Sequence, residues 1–182
     1  MLHAASTAGD VGKIRLALKA GAKVDSRDNA QRTALMNASV NGHEDAMQAL
    51  LEAGATVNLE TDSKMTALMC ASEFDHAGAM RILLEAGAAV DATDSSGGTA
   101  LVHASPEGHC DAGAQCKCCW PPGAAVDSKD TDGNTALIWA GKCGNEGAMR
   151  RLLEAGAIVD SQNDQGITAL MRAGEQGQVG AM

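Results

Sequence analysis

The sequence predicts an all-α solenoid of short, stacked helix–turn–helix units. Three observations carry that expectation. The triplet Thr-Ala-Leu begins at Thr33, Thr66, Thr99, Thr135 and Thr168, at spacings of 33, 33, 36 and 33 residues. A fixed period between about 20 and 50 residues marks a repeat architecture. A second phrase keeps the same beat: Leu-Leu-Glu-Ala-Gly-Ala begins at Leu50, Leu83 and Leu152, with a related LALKAGAKVD at Leu16. The apolar side chains are also small or flexible. The 182 residues include one Phe, no Tyr and two Trp, against nine Met. Thin layers between stacked units need fewer rings than a globular core.

Each unit has the same internal order. Polar segments such as DSSGG (Asp94 to Gly98) and DTDGN (Asp130 to Asn134) read as turns. The Thr that follows caps a first helix, with apolar positions such as Leu68, Met69 and Ala71 expected on one side. Gly42, Gly108 and Gly144 end first helices. The second helix places Met47, Leu50 and Leu51 about one turn apart. Gly54, Gly87 and Gly156 stop second helices. A Val-Asp or Val-Asn piece then leads into the next turn. Helices of about eight to ten residues are marginal alone, so these must stack on neighbours to bury a continuous core. The expected organisation is one array: a partial unit at 1–27, repeats at 28–60, 61–93, 94–129 and 130–162, and a truncated unit at 163–182.

This grammar resembles the ankyrin repeat, which has about 33 residues, a β-turn and two helices, with a Thr-Pro-Leu-His signature. The likeness extends over nearly the whole chain. Gly97, Gly133 and Gly166 match the family's turn glycine, and Gly42-His43 and Gly108-His109 match its Gly-His pair. The resemblance implies short β-turn or hairpin connections between helix pairs. Departures are informative. Ala34, Ala67, Ala100, Ala136 and Ala169 stand where the family has Pro. Met36, Met69, Val102, Ile138 and Met171 stand where it has His, so apolar packing is expected to replace a side-chain hydrogen bond. Only His3 keeps that residue. Gln31 and Lys64 occupy turn-glycine positions and Asp75 a helix-linking one. If those sites need positive φ, Asp tolerates it better than Gln or Lys.

Neither end carries a polar capping unit, and the chain is expected to be a piece of a longer array; fraying end helices are the alternative. The fourth unit is irregular. Its three extra residues precede CCWPPG, which replaces LLEAG, and Pro121 and Pro122 cannot continue a helix. A bend is expected over Cys116 to Gly123. Cys110, Cys116, Cys118 and Cys119, with His103 and His109, have the chemistry of zinc ligands. Their spacing is poor. Five residues separate Cys110 from Cys116 and one separates Cys116 from Cys118. Small apolar fillers are the simpler expectation, and neither metal nor cofactor is expected.

No catalytic constellation stands out. His43, His76 and His109 recur at one repeat position, which points to architecture. Asp127, Asp130 and Asp132 alternate faintly like a calcium loop, without its glycine and terminal Glu. A surface remains. The resemblance implies a non-enzymatic protein–protein interaction module, part of a larger adaptor or scaffold, binding through turn tips and inner helices. The alternative is an accessory region of a larger enzyme or signalling protein. The contact residues implied are Arg32, Asp62, Met65, Phe74, Asp132, Asn134, Trp139, Lys142, Asp164 and Ile167.

Charge shapes the expected partner. The formal net charge is −9. The turn segments 25–31, 58–64, 91–97, 127–133 and 160–166 hold 11 acidic and 3 basic residues, and the remainder holds 12 and 11. An acidic turn edge suits a basic protein segment and disfavours nucleic acid. The alternative is that these acids cap and solubilise the edge. No apolar run reaches the length of about 18 residues needed to span a membrane. The N-terminus lacks the marks of a secretory signal. A monomer inside the cell is expected, in the cytoplasm or the nucleus, with the six cysteines as thiols.

Overall fold

The computed structural model describes residues 1–104 and 124–175. Its described helices are α1 (Leu2–Thr7), α2 (Val11–Lys19), α3 (Ala34–Val40), α4 (Glu44–Glu52), α5 (Ala67–Glu73), α6 (Ala77–Glu85), α7 (Ala100–Ala104), α8 (Ala136–Cys143), α9 (Glu146–Glu154) and α10 (Ala169–Glu175). They form two rows. The first helices α1, α3, α5, α7, α8 and α10 contact one another in sequence, and α2, α4 and α6 do the same behind them. Each first helix with a described second helix also packs on it.

The repeated Thr starts the first helices as expected. Thr33, Thr66, Thr99, Thr135 and Thr168 each accept, through Oγ1, the backbone N–H three residues on, at 3.3–3.4 Å. That satisfies one of the donors a helix start leaves free. Met36 departs from the purely apolar role expected of it. Its Sδ accepts the Thr33 N–H at 3.4 Å, so the thioether keeps a weak version of the bond a polar residue would make.

The first helices are more buried than an amphipathic stripe requires. Ala67, Leu68, Met69, Cys70, Ala71 and Ser72 are all buried, because α5 has neighbours on both sides and a second helix behind. Ser39 and Ser72 survive there by donating to the Leu35 and Leu68 carbonyls one turn back. In the second helices only the first leucine of the pair is fully covered. Leu50, Leu83 and Leu152 are 0% exposed, whereas Leu51 and Leu84 are half-buried and Leu153 is exposed. The 100° step between helix neighbours turns the second leucine off the buried face.

The connections are turns. Among the described residues there is no β-strand and one isolated antiparallel bridge, between Arg27 and Thr33. Gln31, Lys64 and Asp75 adopt φ of 59°, 58° and 51°. Gly97, Gly133 and Gly166 occupy the first position in their own units, at 75–76°. The geometry is therefore set by the unit, and L-residues accept it where glycine is missing. Units are also riveted to one another at the helix junctions. His43 Nε2 lies 3.0 Å from the Thr7 carbonyl and His76 Nε2 lies 2.9 Å from the Val40 carbonyl, each 36 residues back.

The expected bend at Cys116 to Gly123 and residues 176–182 lie outside the described residues. Among the described residues no helix is long and apolar enough to cross a membrane.

Candidate functional site

The turns carry the side chains that vary most between units, and a shared hydrogen-bond scheme positions them. The first turn residue accepts two backbone N–H groups through one oxygen. Asp28 takes those of Ala30 and Arg32, Asp94 those of Ser96 and Gly98, Asp130 those of Asp132 and Asn134, and Asn163 those of Gln165 and Ile167. Short polar side chains fold over their own backbone this way. In three units the second carboxylate oxygen holds a side chain nine residues on, from the first helix. Asn37 donates to Asp28 at 2.9 Å, Trp139 donates to Asp130 at 2.8 Å, and His103 Nε2 lies 2.8 Å from Asp94. The unit at 61–93 lacks this tie. The Thr61 hydroxyl accepts from the Met65 N–H, and the residue nine on is Cys70.

The titration behaviour follows from that scheme. Burial pushes Asp28 upward, but bonds from Asn37, Arg32 and Ala30 outweigh it and hold the carboxyl below its ordinary value. Asp94 is also held low, its burial outweighed by Ser96, Gly98 and His103. Burial pushes the Cys70 thiol up to about 11, so it stays a neutral floor residue rather than a nucleophile.

The acidic turn edge divides into two groups. Asp25, Asp91 and Asp127 accept the backbone N–H of Thr56, Ala125 and Ile158 in the following unit, and Asn58 does so for Ala89. With Asp28, Asp94 and Asp130 in the turns, six of the 11 turn-edge acids have structural work. Glu60, Asp62, Asp132, Asp160 and Asp164 are exposed. Two of the three basic residues of this edge are also committed. Arg27 donates to the Gln31 and Glu60 carbonyls and Lys129 to that of Gln162.

Among the described residues, grooves open on this side. One, of about 320 Å³, lies between the turns at 28–32 and 61–65, with Arg32, Asp62, Met65 and Cys70 among its lining. Another, of about 150 Å³, includes Asp132, Asn134, Trp139, Lys142 and Arg172. The Lys142 ammonium sits 4.3 Å from the centre of the Trp139 ring. That ring is itself fixed by Asp130, so the cation is held over a rigid face.

Seven of the ten contact residues expected from the sequence line these grooves, and Phe74, Asp164 and Ile167 line neither. Asn134 needs correction as a projecting residue. It is 8% exposed, donates to Asp130, and accepts from Asn163 at 2.8 Å. Met65 is half-buried against the core, so only part of it faces outward. Phe74 is 47% exposed at the C-terminus of α5, with its ring 6.4 Å from that of His76. Cys70 and Arg172 also line the grooves without being among the ten contact residues read from the sequence. Their signal was the position nine residues after the turn residue, where side-chain type changes from unit to unit.

Cys110, Cys116, Cys118, Cys119 and His109, weighed as zinc ligands, lie outside the described residues. Among the described residues no three His, Cys, Asp or Glu side chains gather as a metal site.

A sequence model of ankyrin repeats (3 copies) matches residues 1–61 and 115–182, and a second, of ankyrin repeats (many copies), matches 50–104. The chain belongs to the ankyrin-repeat family. No individual curated protein matches it. As an ankyrin-repeat protein it has that module's general protein-interaction role, carried here on a stack of helix pairs. The turn scheme shows how this ankyrin array keeps its frame constant while the exposed side chains change.

Proposed function

We propose that this array binds a partner protein along the face formed by the turns and first helices, as the recognition part of an adaptor or scaffold. The observation that carries the reading is the pair of grooves on that face. Each is lined by side chains that differ from unit to unit on an unchanging frame. Arg32, Asp62 and Met65 are the contacts at one groove, with Asp132, Trp139 and Lys142 at the other. Phe74, Asp164 and Ile167 are contacts beyond the grooves. The five exposed turn-edge acids, Glu60, Asp62, Asp132, Asp160 and Asp164, favour a partner segment carrying Lys or Arg. The module works as a monomer inside the cell, in the cytoplasm or nucleus, where the Cys70 and Cys143 thiols stay reduced.

Site-specific photo-crosslinking tests the face. A crosslinker at Arg32 or Lys142 should capture the partner, and one at Lys19 on the second-helix row should not. Equal capture from both rows overturns the assignment. The affinity of the captured partner should fall with added salt. An affinity indifferent to salt removes the basic segment from the reading.

A further inference from the structure

Backbone hydrogen bonds link consecutive turns in one register. The N–H of the second turn residue donates to the carbonyl of the third residue of the preceding turn. Ser95 donates to Ser63 at 2.9 Å, Thr131 to Ser96 at 2.8 Å and Asp164 to Asp132 at 3.1 Å. The same register would join the Asp62 N–H to the Ala30 carbonyl. There the rung is open: among the described residues neither group has a hydrogen-bond partner, and both residues are exposed. Asp62 and Ala30 line the groove of about 320 Å³. A shallow hollow of about 600 Å³ shares Gln31, Thr61 and Asp62 with that groove.

The unit at 61–93 shows why this rung is the one left open. Its turn begins with Thr61, which has no second oxygen to hold a side chain from α5. Cys70 takes the place that Asn37, His103 and Trp139 fill elsewhere. The turn at 61–65 is therefore not tied to its own first helix, and a short neutral side chain leaves the groove floor empty.

We propose that this groove is a slot for an extended segment of the partner protein, whose main-chain amide closes the open rung. The segment's carbonyl accepts from the Asp62 N–H and its N–H donates to the Ala30 carbonyl. A small apolar side chain of the segment rests on Met65 and Cys70. Recognition of this kind takes affinity from main-chain bonds and selectivity from the pocket beneath. The proposal rests on the reading of this face as the protein-binding one.

The test uses the whole chain and a displayed library of random linear peptides. Selected peptides are titrated against the isotope-labelled chain and against two variants. Asp62 is the second residue of a turn closed by the Lys64 N–H on the Thr61 carbonyl at 2.8 Å, a position that suits proline. Asp62→Pro removes the N–H, and Asp62→Ala keeps it while removing the carboxylate. A lost hydrogen bond of about 1.4 kcal/mol is a tenfold change. Asp62→Pro should therefore weaken binding about tenfold, and Asp62→Ala by no more than about twofold beyond its charge effect. In the wild-type chain the Asp62 amide signal should shift on binding, a readout that stands whether or not the proline variant folds. Equal loss in the two variants, or an unmoved Asp62 amide, overturns the slot. If peptide-induced shifts fall at Asp132 to Arg172 instead, the slot falls and the binding face stands. If the library yields no binder, both fall.

Discussion

Replacing Lys64 by glycine should stabilise the array. Lys64 has φ of 58°, and the equivalent Gly97, Gly133 and Gly166 have 75–76°. An L-residue in the left-handed region costs roughly 1–2 kcal/mol. Glycine removes that cost but gives the unfolded chain more freedom, worth about 0.5–1 kcal/mol against folding. The expected net gain is about 0.5–1 kcal/mol. The Lys64 side chain is exposed and makes no hydrogen bond or ion pair among the described residues, so nothing further is lost. For a chain of this size that gain raises Tm by about 1–4 °C. Gln31→Gly, at φ of 59° in the neighbouring unit, should add a similar amount. The reverse change, Gly133→Gln, should cost about 1–3 kcal/mol. A Cβ there would lie 2.5 Å from Asp164 Oδ1 and 2.8 Å from its backbone nitrogen. Urea unfolding followed by circular dichroism gives all three values. Loss of stability in both glycine variants would show that turn strain is not what distinguishes these units.

Leu50→Ala and Leu83→Ala should each cost about 2–5 kcal/mol, since both side chains are 0% exposed. Leu153→Ala should cost less than about 1 kcal/mol, and equilibrium unfolding separates the two classes. Trp139→Phe keeps a ring under Lys142 but removes the donor to Asp130. It should cost about 1–2 kcal/mol in the same assay. Asp28 and Asp94 titrate below their ordinary value of 3.8 in the folded chain. Their stabilisation is therefore complete above that value and is lost as pH falls through the lower folded values. The urea midpoint should fall as the pH is lowered below about 3.8, and the drop should be smaller in Asp94→Asn, which keeps the accepting oxygen that Asn163 uses.

The period, the helix pairs, the capping threonines and the buried leucines were all legible in the sequence. They are local: a cap needs one hydroxyl at one spacing, and a 33-residue beat repeats the same local solution. Even the demand for positive φ at Gln31, Lys64 and Asp75 could be read, because neighbouring units print glycine at the corresponding position. Only the tertiary structure decided how the acids divide. Asp25, Asp91 and Asp127 look like solvated charges in sequence, yet each holds an N–H 31 or 34 residues away. Asn134 reads as a turn tip and is buried because Asn163, from the next unit, lies against it. The open rung at Asp62 has no local mark either, since a rung is a bond between turns more than 30 residues apart. Propensity and capping act within a few residues and are written along the chain. Grooves, staples and missing bonds arise where one unit meets the next, and depend on distances that only the stacked array sets.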